Sequence, residues 1–548
     1  LEDGNMMELA VGPEKRDKVL ITRYQGKLHA IGAFCSHFGA PLIHGALFDD
    51  KVLCPWHAAG FSVTSGALEL APARDGVPAY TVVERDGKSF VRVPRKMKQV
   101  QVAQMAKRDP ENKTQMVIVG GGAAGLTAAE TLRQSNFTGE ITVVSADSML
   151  PYDRTLLSKA LAVGDASKWQ MRDQAFLDEH SIDVRLNSAV KSIDRERRAV
   201  VLDNGSWVPY DKLLLATGGS ARSPSDAGIQ GGDLGNIHVL RSASDQAAIK
   251  AAAQKAKNIV VVGSGFIATE ATANLAKTFK GKKNVSLIIS TNVPMQRLFG
   301  YDVGSMLLGE HEKNGAKVYT NKTTKNLRLK GDANGNISSI VFESGYEIPA
   351  DMVVFGGGVN LNTRMASEAG LTMTKDGGVS VNPFMQTSDP DIFAAGDVAS
   401  FPSWHIGKNV RIEHWIVAQD QGTHAAFNML GKMQPYGAVP FYWTNNYGKG
   451  MQFIGNAPSW DEIFVSGSPR SNKFIAYYIK DNQVIAACAQ GRGRDLLTVF
   501  EAMSQNVLPP ADLIKAGTET TESIRKKLKL NKGGGCRREN CCQKKSVV

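Results

Sequence analysis

The sequence predicts a multidomain fold: an all-β N-terminal module, two doubly wound α/β domains and a C-terminal α+β region. Three observations support this prediction. The chain has 548 residues, which is too long for one hydrophobic core. Short apolar runs separated by turn signals fill residues 18–94, and a strand–glycine–helix pattern occurs twice further on. No stretch approaches eighteen consecutive apolar residues, so we expect no membrane-spanning helix.

The N-terminal module is predicted from its turns. Runs of Val, Ile, Leu, Phe and Tyr alternate with "YQGK", "FDDK", "TSGA" and "RDGK", a pattern typical of β-hairpins. We assign residues 1–97 to this module. The following residues, 98–113, are polar and without a steady period, so we interpret them as a linker.

The α/β part is predicted from two similar units. "QMVIVGGGAAGLTAAETLRQ" and "NIVVVGSGFIATEATANLAK" each read as a buried strand, a glycine turn and a helix. Aromatic strands such as "FYWTNNYGKGMQFIG" and the helical "GRDLLTVFEAMSQ" follow. The predicted segments are the first part of one α/β domain (114–235), a second domain inserted into it (236–360), the rest of the first (361–430), a C-terminal α+β domain (431–525) and a basic, cysteine-containing, disordered tail (526–548).

The net charge of +11 belongs largely to the tail. Residues 522–548 contain nine Lys and Arg against Glu522 and Glu539, which leaves +4 for the other residues. We therefore expect no nucleic-acid partner. Cys536, Cys541 and Cys542 lie among these basic residues. The tail is either an inert chain end, or its cysteines carry lipids that hold it at a membrane surface. Six cysteines in so long a chain favour a reducing, intracellular compartment.

A metal site is predicted from two short motifs. Cys35-x-His37 and Cys54-x-x-His57 supply two thiolates and two imidazoles from two loops, the ligand set of a [2Fe–2S] cluster with one iron on two Cys and the other on two His. Residues 5–94 resemble the Rieske family, and the resemblance implies that each loop gives one ligand to each iron. The alternatives are a zinc site or four unrelated core residues, although Cys-x-His is an uncommon zinc spacing.

The first glycine turn predicts a dinucleotide site. Gly120-x-Gly122-x-x-Gly125 follows a strand and opens a helix. This geometry allows a backbone to approach a pyrophosphate closely at a helix N-terminus.

Three later segments extend that prediction. "LLLATGG", which contains Thr217 and Gly218, and "TSDPDIFAAGD", which ends at Asp397, resemble marker segments of the flavoprotein disulfide-reductase superfamily. "LPYDRTLLSK", with Arg154 and Lys159, resembles the flavin-contacting segment of its ferredoxin-reductase and apoptosis-inducing-factor branches. The resemblance implies bound FAD, with Asp397 on the ribityl chain.

The chain departs from those branches at the acid that binds the FAD adenosine ribose. That position is Ala146 here, and the neighbouring Asp147 is the candidate replacement.

The second glycine turn, Gly263-x-Gly265-x-x-Ala268, predicts a domain that binds NADH. NADPH is the alternative, because the strand "VSLIIS" ends without the acid that a strong preference for NADH requires. The family resemblance implies that Glu270 pairs with Lys159 near the flavin and nicotinamide. For Glu270 the alternative is a helix-surface carboxylate.

The segment "EHWIVAQDQG" resembles the family segment that brings a tryptophan, here Trp415, near the flavin ring. A plain core tryptophan is the alternative. The chain lacks the paired cysteines of the disulfide reductases, so its flavin has no thiol partner and its electrons need another exit.

Both halves together resemble apoptosis-inducing-factor-like flavoproteins with an N-terminal Rieske domain. The expected function is an NAD(P)H-dependent FAD oxidoreductase that passes electrons through a Rieske cluster to an unidentified acceptor, which a protein would fit. A special case of this function is the supply of electrons to an oxygenase system, which differs only in the acceptor. The alternative is a redox-sensing signalling protein in which NADH binding and flavin reduction control conformation or association. The resemblance favours a mitochondrial location over the cytoplasm and leaves oligomer formation open.

Overall fold

The structure, a computed structural model, describes residues 1–530. It divides into two compact units. Of the described residues, unit one contains 1–104, 437–443 and 451–530, and unit two contains 105–436 and 444–450. None of the helices within residues 1–530 combines the length and the apolar composition that spanning a lipid bilayer requires.

The N-terminal module of unit one is built from two antiparallel sheets, with orders β1-β2-β3-β8-β9 and β4-β5-β6-β7. Its core includes Leu20, Leu42 and Phe61, all fully buried. Residues 98–113 contain no helix or strand, although Gln101 forms a backbone bridge with Gly76. The strands are β1 (Met6–Ala10), β2 (Lys18–Tyr24), β3 (Lys27–Gly32), β4 (Ala46–Phe48), β5 (Lys51–Leu53), β6 (Gly60–Ser62), β7 (Leu68–Leu70), β8 (Ala79–Arg85) and β9 (Lys88–Arg92).

Unit two begins with a parallel α/β segment. Its central strand β10 is apolar on both faces, as expected of a strand covered by helices on both sides. The elements are β10 (Gln115–Val119), α1 (Ala123–Gln134), β11 (Glu140–Val144), α2 (Leu156–Lys159), α3 (Gln174–Glu179), β12 (Ile182–Arg185), β13 (Val190–Asp194), β14 (Ala199–Leu202), β15 (Trp207–Pro209), β16 (Lys212–Leu215) and β17 (Gly219–Ala221).

A second parallel sheet follows, with order β18-β25-β19-β20-β21, and a small antiparallel sheet β22-β23-β24 accompanies it. The elements are β18 (Ile237–Val239), α4 (Ala243–Lys255), β19 (Asn258–Val262), α5 (Phe266–Thr278), β20 (Asn284–Ile288), α6 (Gln296–Lys313), β21 (Lys317–Tyr319), β22 (Arg328–Gly331), β23 (Ile337–Val341), β24 (Glu347–Pro349) and β25 (Met352–Phe355).

The chain then returns to the first sheet. Strand β28 pairs in parallel with β16 and completes the order β12-β11-β10-β16-β28, so the second sheet lies within the sequence of the first. The elements of this part are β26 (Val359–Leu361), α7 (Arg364–Glu368), β27 (Val379–Ser380), β28 (Ile392–Ala394), β29 (Ala399–Ser403), β30 (Lys408–Val410) and α8 (Trp415–Met429). The predicted fold class of two doubly wound domains is confirmed.

The C-terminal region forms a five-stranded sheet of order β31-β32-β35-β34-β33 with three helices. The elements are β31 (Phe441–Asn446), β32 (Lys449–Gly455), β33 (Glu462–Ser468), β34 (Lys473–Lys480), β35 (Gln483–Gln490), α9 (Gly493–Ser504), α10 (Ala511–Lys515) and α11 (Thr521–Leu530).

The tail prediction was wrong for its first residues. Helix α11 extends to Leu530, so residues 526–530, predicted as disordered, are helical. Two contacts explain the helix: Ile524 is buried, and Arg525 donates hydrogen bonds to Thr498 and Asp495. An isolated helix of this length is only marginally stable in water, so these tertiary contacts determine whether the segment is helical. The rest of the predicted tail, with its three cysteines, lies outside the described residues.

Candidate functional site

The predicted cluster ligands lie in two loops of unit one that share one backbone design. In each loop the cysteine N–H donates to the carbonyl five residues on, Cys35 to Ala40 and Cys54 to Ala59, at 2.9 and 2.8 Å. The residue four positions on, Gly39 or Ala58, donates back to the cysteine carbonyl. Both of these residues have positive φ, +75° and +60°, which tightens each loop around its cysteine.

The four side chains converge in two pairs. The Nδ1 atoms of His37 and His57 lie 3.1 Å apart, which is the separation expected of two nitrogens on one metal ion with bonds of about 2.1 Å. Cys35 and Cys54 are buried and share a hydrogen bond. One pair of thiols and one pair of imidazoles are the ligands of a [2Fe–2S] cluster in which one iron is bound by two Cys and the other by two His.

The protonation chemistry of the loops also fits metal ligation. The hydrogen bond with Cys54 and burial together raise the pKa of the Cys35 thiol. Burial acts to raise the pKa of Cys54, yet that pKa is lowered overall by the bond with Cys35 and by backbone N–H groups of the loop. Burial, helped by the charge of Arg74, lowers the pKa of His37 to about 3, so its imidazole is neutral, the form that binds metals.

The first glycine turn of unit two opens onto a cavity of about 660 Å³, within the usual size range of cofactor sites. A Cβ on Gly120 would collide with the carbonyl of Ala216, and its φ of +115° favours glycine. A Cβ on Gly122 would meet nothing within 4 Å, so the start of helix α1 faces open space. The predicted residues that line this cavity are Gly120, Gly122, Asp147, Arg154, Thr217 and Gly218.

Arg154 is fixed by its neighbours at the wall of this cavity. It forms an ion pair with Asp147 and donates to the carbonyl of Arg241 at 2.9 Å. The candidate ribose acid therefore lies in the cavity wall, with its charge already balanced by an arginine.

Asp397 is connected to the same cavity through Arg241, which lines it. Arg241 Nη2 donates to Asp397 Oδ2 at 3.0 Å. Thr217 Oγ1 donates to the carbonyl of Asn362, which holds the second marker segment in place. Gly125 lies inside helix α1 and does not line the cavity. A Cβ at this position would collide with the carbonyl of Gly120, so the close packing of the turn requires glycine.

Lys159 and Glu270 are brought together as predicted by the resemblance. Lys159 Nζ donates to Glu270 Oε2 at 3.0 Å. Ser158 Oγ donates to the same oxygen at 2.5 Å, and Thr444 Oγ1 donates to Oε1 at 2.7 Å. Glu270 is only 2% exposed, so the alternative of a helix-surface carboxylate is wrong. A buried carboxylate needs hydrogen-bond partners, and three donors supply them here, one of which is the side-chain nitrogen of Lys159.

The second glycine turn repeats the first one. Gly263 has a φ of +135° and lies against the carbonyl of Gly356, while Gly265 precedes helix α5 with open space at its Cβ position. Gly263 and Gly265 follow β19, the central strand of the second sheet, and do not line the 660 Å³ cavity. Trp415 is the first residue of helix α8, is partly exposed, and does not line that cavity either.

Three contacting residues were missed by the sequence interpretation. Ser158 and Thr444 bind Glu270, and the ring of Trp443 lies 4.6 Å from that of His57. Ser158 belongs to the segment "LPYDRTLLSK", and Trp443 and Thr444 belong to the aromatic strand that contains "YWT". Neither segment indicates which partners these side chains contact.

Comparison with known families matches three parts of the chain. Residues 1–81 match the Rieske [2Fe-2S] domain, residues 114–422 match pyridine nucleotide-disulphide oxidoreductase, and residues 441–522 match the reductase C-terminal domain. The fold and its sites thus define a flavin-dependent oxidoreductase with an iron–sulfur module. The chain belongs to the pyridine nucleotide-disulphide oxidoreductase family.

Individual relatives agree with this membership. Apoptosis-inducing factor 3 of Homo sapiens is 34% identical over 92% of this chain and 82% of that protein. The ferredoxin–NAD(+) reductase component of the anthranilate 1,2-dioxygenase system of Burkholderia cepacia is 33% identical over 72% of this chain and 95% of that protein. The crystal structure of the covalent putidaredoxin reductase–putidaredoxin complex has a TM-score of 0.71 at 29% identity and covers 76% of this chain and 99% of that one.

These matches confirm the predicted activity class and cofactors. The chain is an NAD(P)H-dependent FAD oxidoreductase with a Rieske [2Fe–2S] cluster. When bound, FAD exchanges a hydride with the nicotinamide and supplies single electrons to an iron–sulfur partner.

Proposed function

We propose that this oxidoreductase uses Cys35 and Cys54 for one iron and His37 and His57 for the other, and delivers its electrons to a protein acceptor. The convergence of the two imidazole nitrogens, 3.1 Å apart, carries the ligand assignment. A protein acceptor is supported by the related structure that holds putidaredoxin. Family resemblance further supports an intracellular, mitochondrial location.

The flavin end of the proposal rests on the 660 Å³ cavity of unit two. Gly120 and Gly122 would admit the pyrophosphate at the start of helix α1, and Thr217 and Gly218 would border it from the second marker segment. Asp147 in the cavity wall would receive the adenosine ribose, and Asp397 would receive the ribityl chain.

The nicotinamide end rests on Lys159 and Glu270, with Gly263 and Gly265 admitting the NADH pyrophosphate. Glu270 holds the ammonium of Lys159 at 3.0 Å, so the carboxylate positions the lysine and neutralises its charge. Trp415, at the start of helix α8, would lie along the flavin ring.

The test is anaerobic reduction by NADH, followed by flavin absorbance and by low-temperature EPR of the cluster. In the parent protein we expect the flavin to bleach and a Rieske signal to appear in step. Glu270→Gln should slow flavin bleaching by about 10²-fold, because a small displacement of a group at the reacting centre has effects of this size.

The matched control is Glu347→Gln. Glu347 also pairs with a lysine, Lys330, at 2.7 Å, but both side chains are largely exposed, so this variant should bleach at the parent rate. Parent-like bleaching in Glu270→Gln would contradict the proposed role. A parent protein whose flavin bleaches while its cluster stays oxidised would instead favour the redox-sensing alternative.

A further inference from the structure

A buried tryptophan of the C-terminal domain covers the predicted imidazole ligands within unit one. The Trp443 ring lies 4.6 Å from the ring of His57 and 6.2 Å, edge-on, from that of His37. Trp443 is only 6% exposed. An indole of this size buries a large apolar area, so it removes water from the part of the imidazole pair that it contacts.

The same domain also holds the backbone of the second ligand loop. Gln452 Nε2 donates to the carbonyl oxygens of Pro55 and Trp56, at 2.6 and 2.5 Å. These are the two residues between Cys54 and His57. One side-chain amide therefore fixes the segment that sets the spacing of these two predicted ligands.

The start of helix α9 approaches that loop closely as well. A Cβ on Gly493 would lie 3.0 Å from the carbonyl oxygen of Pro55 and 3.3 Å from Oε1 of Gln452. The absence of a side chain at this position allows Gln452 to reach the loop. Two strands and a helix of the C-terminal domain thus contribute to the surroundings of a site whose proposed ligands all belong to the N-terminal module.

We propose that the C-terminal domain is an integral part of the cluster site: Trp443 positions the two imidazoles and shields them from water, and Gln452 fixes the loop from Cys54 to His57. The inference rests on the proposed assignment of the four ligands. The cluster is then bound by the N-terminal module and enclosed by the sequence-distant C-terminal domain. Solvent and partner proteins approach the cluster at the exposed rings of Phe38 and Trp56.

Outer-shell partners orient metal ligands and commonly change metal affinity by 10–100-fold when they are removed. Two readouts therefore apply to the full-length protein carrying FAD and its cluster. The first is the set of EPR g-values of the dithionite-reduced cluster. The second is the rate at which visible cluster absorbance disappears in the presence of an iron chelator.

Trp443→Ala should shift the g-values and accelerate cluster loss by at least about tenfold, while Trp443→Phe, which keeps an aromatic cover, should restore most of both. Trp460→Ala is the matched control. Trp460 belongs to the same domain, but its ring packs on Tyr478 at 5.4 Å and not on the ligand loops, so it should leave both readouts unchanged.

Unchanged g-values and an unchanged loss rate in folded Trp443→Ala would overturn the inference, and so would an equal effect in Trp460→Ala. If Trp443→Ala does not fold, Gln452→Leu decides: faster loss supports the inference and a parent-like rate overturns it. A parent protein without a Rieske EPR signal would be a different result, because it would overturn the proposed ligands themselves.

Discussion

The two ligand loops and the surroundings of Glu270 are assembled on different length scales. Each loop closes on itself through hydrogen bonds between residues at most five positions apart. The carboxylate of Glu270, in contrast, receives its donors from segments 111 to 174 positions away in sequence. The backbone of each ligand loop is specified by a short motif, whereas the site around Glu270 exists only when distant elements pack correctly. Loss of a single cluster ligand should therefore abolish the cluster, while the site around Glu270 should lose stability in steps.

Cys54→Ser gives the largest expected effect, because an alcohol replaces one of only four ligands and thiolates are what iron–sulfur clusters require. The Rieske EPR signal should disappear completely. Bound FAD and the rate of flavin bleaching by NADH should stay at parent values, because they depend on unit two.

Cys488→Ser is the control for the removal of a buried thiol. Burial raises the pKa of Cys488 to about 12, and its sulfur contacts the hydroxyl of Tyr478, so it is an inert core residue. This variant should retain the full EPR signal. A cluster that survives in Cys54→Ser, or is lost in Cys488→Ser, would contradict the ligand assignment.

Thr444→Val tests the site that is assembled over long range. It keeps the side-chain shape but leaves Glu270 Oε1 without its 2.7 Å donor, and hydrogen bonds to charged groups contribute about 1.5–3 kcal/mol. The free energy of unfolding, measured by urea denaturation of unit two's transition, should fall by about that amount.

Thr498→Val offers a comparison. Thr498 is also fully buried, but its hydroxyl donates to the carbonyl of Arg494 and accepts from Arg525, and it forms no hydrogen bond with Glu270. This variant should leave flavin bleaching by NADH unchanged, whereas Thr444→Val, which removes a donor to Glu270, should slow it. If Thr444→Val had no effect on either stability or bleaching, the carboxylate would not depend on this distant donor.

Gly39→Ala gives the smallest effect and tests local closure. Gly39 and Gly26 share a φ of +75°, so alanine at either position should cost about 1 kcal/mol of stability. A Cβ at Gly26 meets open space, whereas one at Gly39 would press on Arg16 at 2.6 Å. Only Gly39→Ala should therefore alter the cluster EPR spectrum. Altered spectra in both variants would show that the ligand loop is not a locally closed unit.

Much of this architecture could be predicted because local patterns determine it. Alternating apolar residues and turn signals indicated the N-terminal sheets, and strand–glycine–helix units indicated the parallel ones. The contacts of Trp443 and Thr444 could not be predicted, because neighbouring side chains on a strand point to opposite faces and only packing decides what they meet. Helix α11 was missed because its stability also depends on tertiary packing: its basic composition indicated disorder and gave no sign of the contacts of Ile524 and Arg525.

The matched closure of the two ligand loops has a consequence for how the protein acquires its cluster. The backbone bonds of Cys35 with Ala40 and of Cys54 with Ala59 involve no metal. The conformational entropy of these loops is therefore already lost when the polypeptide folds. Insertion of a preassembled cluster should then require only side-chain rotation, and a chain that has lost its iron should keep both loop backbones closed and ready to bind a new cluster.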